Sequence, residues 1–123
     1  MELSAFLKEN VSAYPHKTVT LSERLGEFTV RCLGADEDAR LRAGCIVHNR
    51  RGLPEIDPNR YLVAVAAASV VSPDLDSAEL QDSYRTVGRE DTLLAMLAKP
   101  EFDALCAFLT VEGYADLVDT AKK

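Results

Sequence analysis

The segment from Tyr61 to Val71 constrains the fold most strongly, because its eleven residues are apolar apart from one serine. Asp57 and Pro58 precede it, and an Asp at the N-cap followed by a Pro in the first helical position is typical of a helix start. An internal parallel strand has a similar composition, but the length, the alanine content and the proline favour a helix. We therefore predict a buried central helix over residues 58–71, whose alanines let neighbouring helices approach closely.

Two runs before this helix alternate between apolar and polar side chains, which is typical of half-buried strands. Their apolar members are Val19, Leu21, Phe28, Val30 and Cys32. The residues between the runs, 23–27, contain a glycine and suit a five-residue hairpin loop. We predict an N-terminal β-hairpin over about residues 18–33 that packs one face on helices, since two strands alone are marginally stable.

Apolar residues at helical spacing predict a helix on each side of the hairpin. The first covers residues 2–10 and is amphipathic. Its apolar face contains Leu3, Phe6 and Leu7. The second begins after Gly34 and places His48 on its buried stripe or at its end. Gly44 inside it favours a close backbone contact or an early end.

Start signals predict further helices after the central one, which Ser72-Pro73 ends. Asp76 and Glu79 resemble a capping box at the start of the first. The next follows Gly88, and its apolar stripe consists of Leu93, Leu94 and Leu97. Another starts at Lys99-Pro100, and Gly113 separates it from a last helical segment. The predicted fold class is mostly α (α+β), a compact helical domain that carries the hairpin.

Size and charge limit the class of protein. The chain has 123 residues, of which 47% are hydrophobic and 28% charged, as in soluble globular proteins. Two domains would have only about 60 residues each, so one domain over residues 1–123 is expected. The net charge is −6, and residues 73–123 contain eleven acids against five bases. Because phosphate binding requires Lys and Arg clusters, we expect no nucleic acid among the partners.

Neither targeting nor metal patterns are present in the sequence. The first residues lack the basic and apolar regions of a signal peptide, and the longest apolar run is far shorter than the roughly 20 residues of a membrane span. Cys32, Cys45 and Cys106 have no CxxC spacing, and the two histidines are far apart, so no zinc pattern forms. We expect a cytoplasmic protein with no membrane contact, no metal and no cofactor.

No motif of the sequence indicates catalysis. Glycine-rich phosphate loops and HExxH are absent, and paired acids occur where helices are predicted to start, which the helix dipole favours. Asp76-Ser77 resembles the phosphopantetheine site of acyl carrier proteins, but Ala78 follows where that family has Leu or Met. A helix cap is therefore the preferred interpretation, and we predict that the protein is not an enzyme.

One basic cluster contrasts with the acidic C-terminal half. Its members are Arg40, Arg42, Arg50, Arg51 and Arg60. Such clusters pair more often with acids than with phosphates, either within the chain or on a protein partner. A contact between the basic half of one copy and the acidic half of the next would be head-to-tail, which builds rings or helical filaments. These arginines are our predicted self-association patch.

Several blocks of sequence together match a known pattern. They are Tyr61-Leu62, Ala66–Val71, Ser72–Leu75, Ala78–Tyr84, Val19–Leu25, Gly88–Leu97 and Pro100–Phe102. With them the chain resembles the XkdN-like tail assembly chaperones of bacteriophages and phage-derived elements. The block from Ala67 to Tyr84 is specific, and the weaker similarity extends over nearly the whole chain.

The resemblance implies a non-enzymatic role in building phage tails. A protein of this family would bind the tape measure protein, the long helical polypeptide that sets tail length, keep it soluble and help to recruit tail tube subunits. It would then leave, so that the mature particle lacks it. The alternative is a structural or adaptor protein that is retained in the tail or tail-like particle.

A partner with an apolar-striped helix requires apolar surface on the chaperone. The candidate partner-binding residues are Leu3, Phe6, Leu7, Phe102, Phe108, Leu109 and Tyr114. The alternative for each of them is a place in the hydrophobic core. Phe108 lies at the flank of its predicted helix stripe, which favours partial exposure.

Overall fold

The computed structural model describes the backbone of residues 3–122 and the side chains of residues 3–110. The elements are β1 (Lys17–Ser22), β2 (Gly26–Val30), α1 (Ala35–Ala43), β3 (Ile46–His48), β4 (Pro54–Ile56), α2 (Pro58–Ser69), β5 (Val70–Ser72), α3 (Ala78–Tyr84), α4 (Arg89–Met96) and α5 (Lys99–Lys122). Helices α1, α4 and α5 pack against α2, α3 packs against α4, and two small antiparallel sheets accompany the helices. The predicted α+β class is confirmed.

Helix α2 is the centre of the fold and begins as predicted. The Asp57 carboxylate accepts hydrogen bonds from the backbone N–H groups of Asn59 (3.1 Å) and Arg60 (3.4 Å), and Pro58 occupies the first turn. α2 contacts α1, α4, α5 and β5, and its buried residues are Ala64, Ala66, Ala67 and Ser69. These small side chains allow the close approach that the alanine content predicts.

The end of the central helix differs from the prediction. α2 stops at Ser69, and residues 70–72 form β5, which pairs antiparallel with β2. Val70 and Val71 are β-branched and favour extended backbone where a strand edge is available for pairing. The predicted boundary at residue 71 is therefore two residues too late.

The N-terminal hairpin of β1 and β2 is confirmed, with Lys17 opposite Val30 and Ser22 opposite Gly26. The loop covers residues 23–25, so the predicted five-residue connection is too long. Gly26 belongs to β2 and adopts φ 77°, a left-handed conformation that glycine tolerates at little cost. With β5, the hairpin makes a three-stranded sheet in the order β1-β2-β5.

The segment after α1 contradicts the predicted position of His48. α1 ends at Ala43 with Gly44 as its C-cap, so the early end that Gly44 favours is confirmed. Residues 46–48 form β3, which pairs with β4 in a second hairpin, and His48 is exposed there. The helical pattern of residues 41–48 is overridden by tertiary pairing, in which β-branched Ile46 and Val47 fit an extended strand.

Helices α3 and α4 start close to the predicted positions, with two corrections. The N-cap of α3 is Ser77, whose hydroxyl accepts from the Leu80 N–H at 3.3 Å, and not Asp76. In α4, Leu93 is fully buried while Leu94 is 46% exposed, so Leu94 does not belong to the buried stripe. Adjacent helical residues point about 100° apart, and α4 buries the face that carries Thr92, Leu93 and Met96.

Helix α5 runs from Lys99 to Lys122 without a break at Gly113, so the predicted separate last helix is wrong. A glycine inside a helix costs about 1 kcal/mol relative to alanine, which weakens a helix without ending it. Leu105 anchors α5 in the main core. That core comprises Phe28, Val30, Ala66, Ala67, Val70, Leu75, Leu93, Met96 and Leu105.

The predicted amphipathic helix over residues 2–10 is absent from the described residues 3–10. Two short 3₁₀ turns, Leu3–Phe6 and Lys8–Asn10, occupy this segment, and every residue from 3 to 16 is exposed. A helix this short is marginal in water without a packing partner, and the body of the protein provides none here. We call residues 3–16 the N-terminal arm.

Candidate functional site

The N-terminal arm brings five large apolar side chains to the surface. They are Leu3 (75% exposed), Phe6 (62%), Leu7 (44%), Val11 (55%) and Tyr14 (54%). The first three are predicted partner-binding residues, and none of them fills the core. Large apolar side chains that are exposed together on one segment are candidates for an interaction site.

The remaining predicted partner-binding residues belong to α5. Phe102, Phe108 and Leu109 are half-buried and pack against the main core. Each of them therefore combines a structural role with some remaining exposure. The side chain of Tyr114 lies outside the described residues.

Leu109 also lines a groove between α1, α2 and α5. The groove has a volume of about 380 Å³ and is lined by Arg31, Cys32, Leu33, Gly34, Ala35, Asp38, Val65, Ser69 and Leu109. Arg31 fixes one wall, because its guanidinium donates two parallel hydrogen bonds to Glu37, of 2.9 and 2.6 Å. This pair raises the pKa of Arg31 and lowers the pKa of Glu37. We call this feature the apolar groove, since Leu33, Val65 and Leu109 face it.

The predicted basic cluster is divided by the fold. Arg40 and Arg42 lie on α1 and pair with Asp36 (2.9 Å) and Asp38 (3.0 Å). Arg42 also lies over the Tyr61 ring, and its hydrogen bond to the Tyr61 hydroxyl, followed by the charge of Asp38, raises its pKa. These two arginines are thus partly neutralised within the chain.

The other three arginines have different surroundings. Arg60 and Arg40 line a cavity of about 150 Å³ together with Glu90, an acid of α4. Arg50 and Arg51 lie in the turn between β3 and β4, and neither pairs with an acid among the described side chains. Arg50, Arg51 and Arg60 are therefore the members of the cluster that form no ion pair among the described side chains.

Two hydrogen-bond networks hold the helices that surround these surfaces. In the first, the carboxylate of Glu101 accepts from Ser22 Oγ, from a guanidinium nitrogen of Arg24 and from the Ala98 N–H (2.7 Å). Glu101 is the third residue of α5, so its bond to Ala98 is the return half of a capping box. Arg24 also donates to the Met96 carbonyl at 2.9 Å, which ties the β1–β2 loop to the junction of α4 and α5.

This first network makes stability depend on pH. Its hydrogen bonds, first from Ser22, then from Ala98 and Arg24, lower the pKa of Glu101 from 4.5 to about 2. A carboxyl whose pKa is lower in the folded state stabilises the fold above the unfolded pKa, and this stabilisation is lost as the pH falls through the folded pKa.

Glu101→Gln is therefore expected to reduce the fall in stability between about pH 4.5 and 2. Urea unfolding of wild type and Glu101→Gln at several pH values measures the free energy of unfolding of each. The difference between wild type and Glu101→Gln should be largest above pH 4.5 and shrink toward pH 2. Glu27→Gln, which removes an exposed carboxylate of β2, is the matched control. Parallel pH curves for wild type and Glu101→Gln would contradict the assignment.

In the second network, Arg89 closes the end of the central helix. Its guanidinium donates to the carbonyls of Ala67 (2.8 Å) and Val70 (2.9 Å) and pairs with Asp76 at 2.8 Å. A cation at the C-terminus of a helix also interacts favourably with its dipole. Arg89 thus connects α4, the end of α2 and the loop before α3.

Nothing described points to chemistry at these surfaces. The three cysteines are free, and no group of three or more His, Cys, Asp or Glu among residues with described side chains could hold a metal ion. Ser77, the serine that resembles a carrier site, caps α3. Within the described part of the chain, no helix is both long and apolar enough to cross a bilayer.

The β3–β4 hairpin is a further exposed apolar surface, and the sequence analysis did not predict it. Ile46 and Ile56 are opposite each other in its register, and both are exposed, as is Leu53 in the turn. The β-branched pair Ile46-Val47 followed by a glycine-containing turn is the signal that could have identified it.

Comparison with known proteins identifies the family. The sequence model of the phage XkdN-like tail assembly chaperone proteins matches residues 3–122. The fold is similar to the crystal structure of the protein yqbn, with a TM-score of 0.74 and 19% identity, over 89% of this chain and 92% of that chain. No curated protein sequence matches significantly. Since the family model covers nearly the whole chain, the protein belongs to the XkdN-like phage tail assembly chaperone family.

Proposed function

We propose that this protein binds apolar helical segments of the tape measure protein during tail assembly and keeps that polypeptide soluble. Membership of the family supports a role in tail assembly. The observation that carries the finer proposal is the N-terminal arm, whose leucines and phenylalanine have no place in the core. A long apolar-striped helix would self-associate unless such surfaces cover it.

The apolar groove supplies a second part of the proposed surface. An amphipathic helix binds by inserting side chains at three- and four-residue spacing into a hydrophobic groove. Leu33, Val65 and Leu109 offer apolar contacts for such side chains, and the adjacent Arg31 and Asp38 offer polar ones. The net charge of −6 would keep the complex in solution.

Substitutions in the N-terminal arm test this proposal without disturbing the core, because the replaced residues are exposed. Co-expression with Leu3→Ser/Phe6→Ser/Leu7→Ser is expected to lower the soluble fraction of the tape measure protein several-fold compared with wild type. The soluble fraction is measured by quantitative gel after centrifugation. Leu62→Ser, at an exposed leucine of α2, is the control and should behave as wild type.

Two outcomes would count against the proposal. If the tape measure protein is equally soluble with and without this chain, the solubilising role is wrong. We also propose that the protein helps to recruit tail tube subunits and leaves before the particle is complete, so mass spectrometry of purified tails should not detect it. A stoichiometric amount in finished tails would instead favour a retained structural or adaptor protein.

A further inference from the structure

The N-terminal arm has the same spacing of apolar side chains as the segments that the apolar groove is proposed to bind. Leu3, Phe6 and Leu7 lie at i, i+3 and i+4, and all three are exposed. A helix that binds in an apolar groove presents its anchoring side chains at this spacing. A short amphipathic segment becomes a stable helix when a surface packs against its apolar side. The groove can therefore supply the packing surface that the arm lacks.

The arm also begins beside the groove. Its last residue precedes Lys17, which is opposite Val30 in the β1–β2 pair. From Val30 the chain continues directly into Arg31, Cys32 and Leu33, which form one wall of the groove. Neighbouring strands lie about 5 Å apart, and each residue advances a strand by about 3.3 Å, so the base of the arm is within about 10 Å of that wall.

The length of the arm and the volume of the groove both allow docking. Nine residues separate Leu7 from Lys17. An extended segment of this length reaches about 33 Å, which is well beyond the distance required. The groove has a volume of about 380 Å³, whereas a cavity of about 150 Å³ already holds a benzene ring. It thus has room for the ring of Phe6 and an aliphatic side chain beside it.

We propose that the N-terminal arm regulates access to the apolar groove: residues 3–7 fold into a helical turn and insert their apolar side chains into the groove of the same molecule. The arrangement described above, in which every residue of the arm is exposed, is the open state, and the docked arm is the closed state. A short tether gives the arm an effective concentration in the millimolar range, which favours docking within one molecule.

In the closed state, the arm and the groove cover each other, so the free protein exposes less apolar surface to water. A helix of the tape measure protein then displaces the arm and makes both surfaces available together. This regulation rests on the proposed function, because the tape measure protein is the ligand that opens the closed state. The docking of the arm in the free protein does not depend on that function.

The Cys32 thiol provides a reporter of docking, because it is exposed in the open state and lines the groove. The full chain is labelled with iodoacetamide, and peptide mass spectrometry follows each cysteine separately. Docking shields this thiol, so Leu3→Ser/Phe6→Ser should raise its labelling rate at least about threefold, as expected when about two thirds of wild type is closed. Equal Cys32 rates in the variant and wild type would overturn the proposal.

A second variant controls for the loss of apolar side chains from the arm. Val11→Ser/Tyr14→Ser removes two exposed side chains of the arm that lie outside the docked residues, so Cys32 should be labelled at the wild-type rate. Cys45 is buried, and its slow labelling in every variant checks that the fold is intact.

A disulfide distinguishes docking within one molecule from exchange of arms between copies. Leu7→Cys places a thiol in the docked segment, and oxidised glutathione should join it to Cys32 in a monomer, at a rate independent of protein concentration. Because the tether alone brings the two thiols together at times, the same reaction is measured after adding Leu3→Ser/Phe6→Ser, which should slow it at least about threefold. A cross-linked dimer as the main product, or an unchanged rate in the added variant, would overturn the proposal.

The cross-linked protein also separates this proposal from the proposed function. Denatured tape measure protein is diluted into oxidised Leu7→Cys protein or into the same protein after reduction, and its soluble fraction is measured by quantitative gel after centrifugation. The reduced form should keep several-fold more of it soluble, because only there can the arm leave the groove. Equal solubility with an active reduced form would overturn the regulation. If wild type also keeps none of it soluble, the proposed function is wrong, whereas labelling and cross-linking of the free protein still decide whether the arm docks.

Discussion

Leu93→Ala is expected to lower the free energy of unfolding by about 2–5 kcal/mol, while Leu94→Ala should change it by less than about 1 kcal/mol. Both replacements remove the same atoms from adjacent positions of α4. Leu93 is fully buried in the main core, so its loss leaves a cavity that the neighbouring side chains cannot fill completely. Leu94 is 46% exposed, and water occupies the space that its side chain leaves.

Urea or guanidinium unfolding of the two variants measures this difference. The midpoint should fall strongly for Leu93→Ala and little for Leu94→Ala, with a similar dependence on denaturant in both. Comparable losses at the two positions would mean that α4 packs with a different face on the core. In that case the predicted stripe of Leu93, Leu94 and Leu97 would be correct after all.

Arg89→Ala is expected to cost about 2 kcal/mol, because hydrogen bonds to charged groups contribute about 1.5–3 kcal/mol when one partner is removed. The replacement leaves the carbonyls of Ala67 and Val70 without this donor and also breaks the pair with Asp76. Arg40→Ala is the matched control, since the Arg40–Asp36 pair is exposed and worth little. Arg40→Ala should stay within about 0.5 kcal/mol of wild type.

Thermal and chemical unfolding distinguish the two arginine variants. Arg89→Lys keeps the positive charge but not the fork of donors, so it should recover only part of the loss. Full recovery by lysine would show that charge alone matters at the end of α2. A loss below 0.5 kcal/mol in Arg89→Ala would contradict the role assigned to this network.

The two hydrogen-bond networks also join blocks of sequence that are far apart in the chain and that resemble the family. Ser22 and Arg24 belong to one block that resembles the family, and Glu101 belongs to another. Arg89 connects the block at the start of α4 with the end of the central helix. The segments that identify the family are thus segments that these networks join in space.

Local signals predicted the elements that depend on nearby residues. The start of α2 requires only the Asp57 carboxylate and the backbone N–H groups two and three residues later, and it was predicted correctly. The β1–β2 hairpin is similar, because its alternation and its glycine lie within one stretch of chain. The resemblance to the family, which rests on sequence blocks, was confirmed over residues 3–122.

Local sequence patterns predicted the candidate binding surfaces less well. The spacing of Leu3, Phe6 and Leu7 is helical, yet Leu3 and Phe6 lie in a 3₁₀ turn and Leu7 is extended, because no apolar surface meets them. The five arginines form one cluster in sequence, but the fold pairs Arg40 and Arg42 with acids, while Arg50, Arg51 and Arg60 form no ion pair with any side chain that the structure describes. The sequence pattern does not indicate which distant residue of the chain a side chain contacts.

The sequence alone determined the start of the central helix, the first hairpin, the acidic net charge and the family. Helix caps and turns depend on residues that are close together in the chain, and net charge and sequence similarity do not depend on the fold. Only the tertiary structure decided that residues 70–72 pair as a strand, that Leu93 is buried and Leu94 exposed, and that residues 46–48 and 54–56 form a second, largely exposed hairpin. The physical reason is that burial and pairing depend on contacts between residues far apart in the chain, where local preference is weaker than packing.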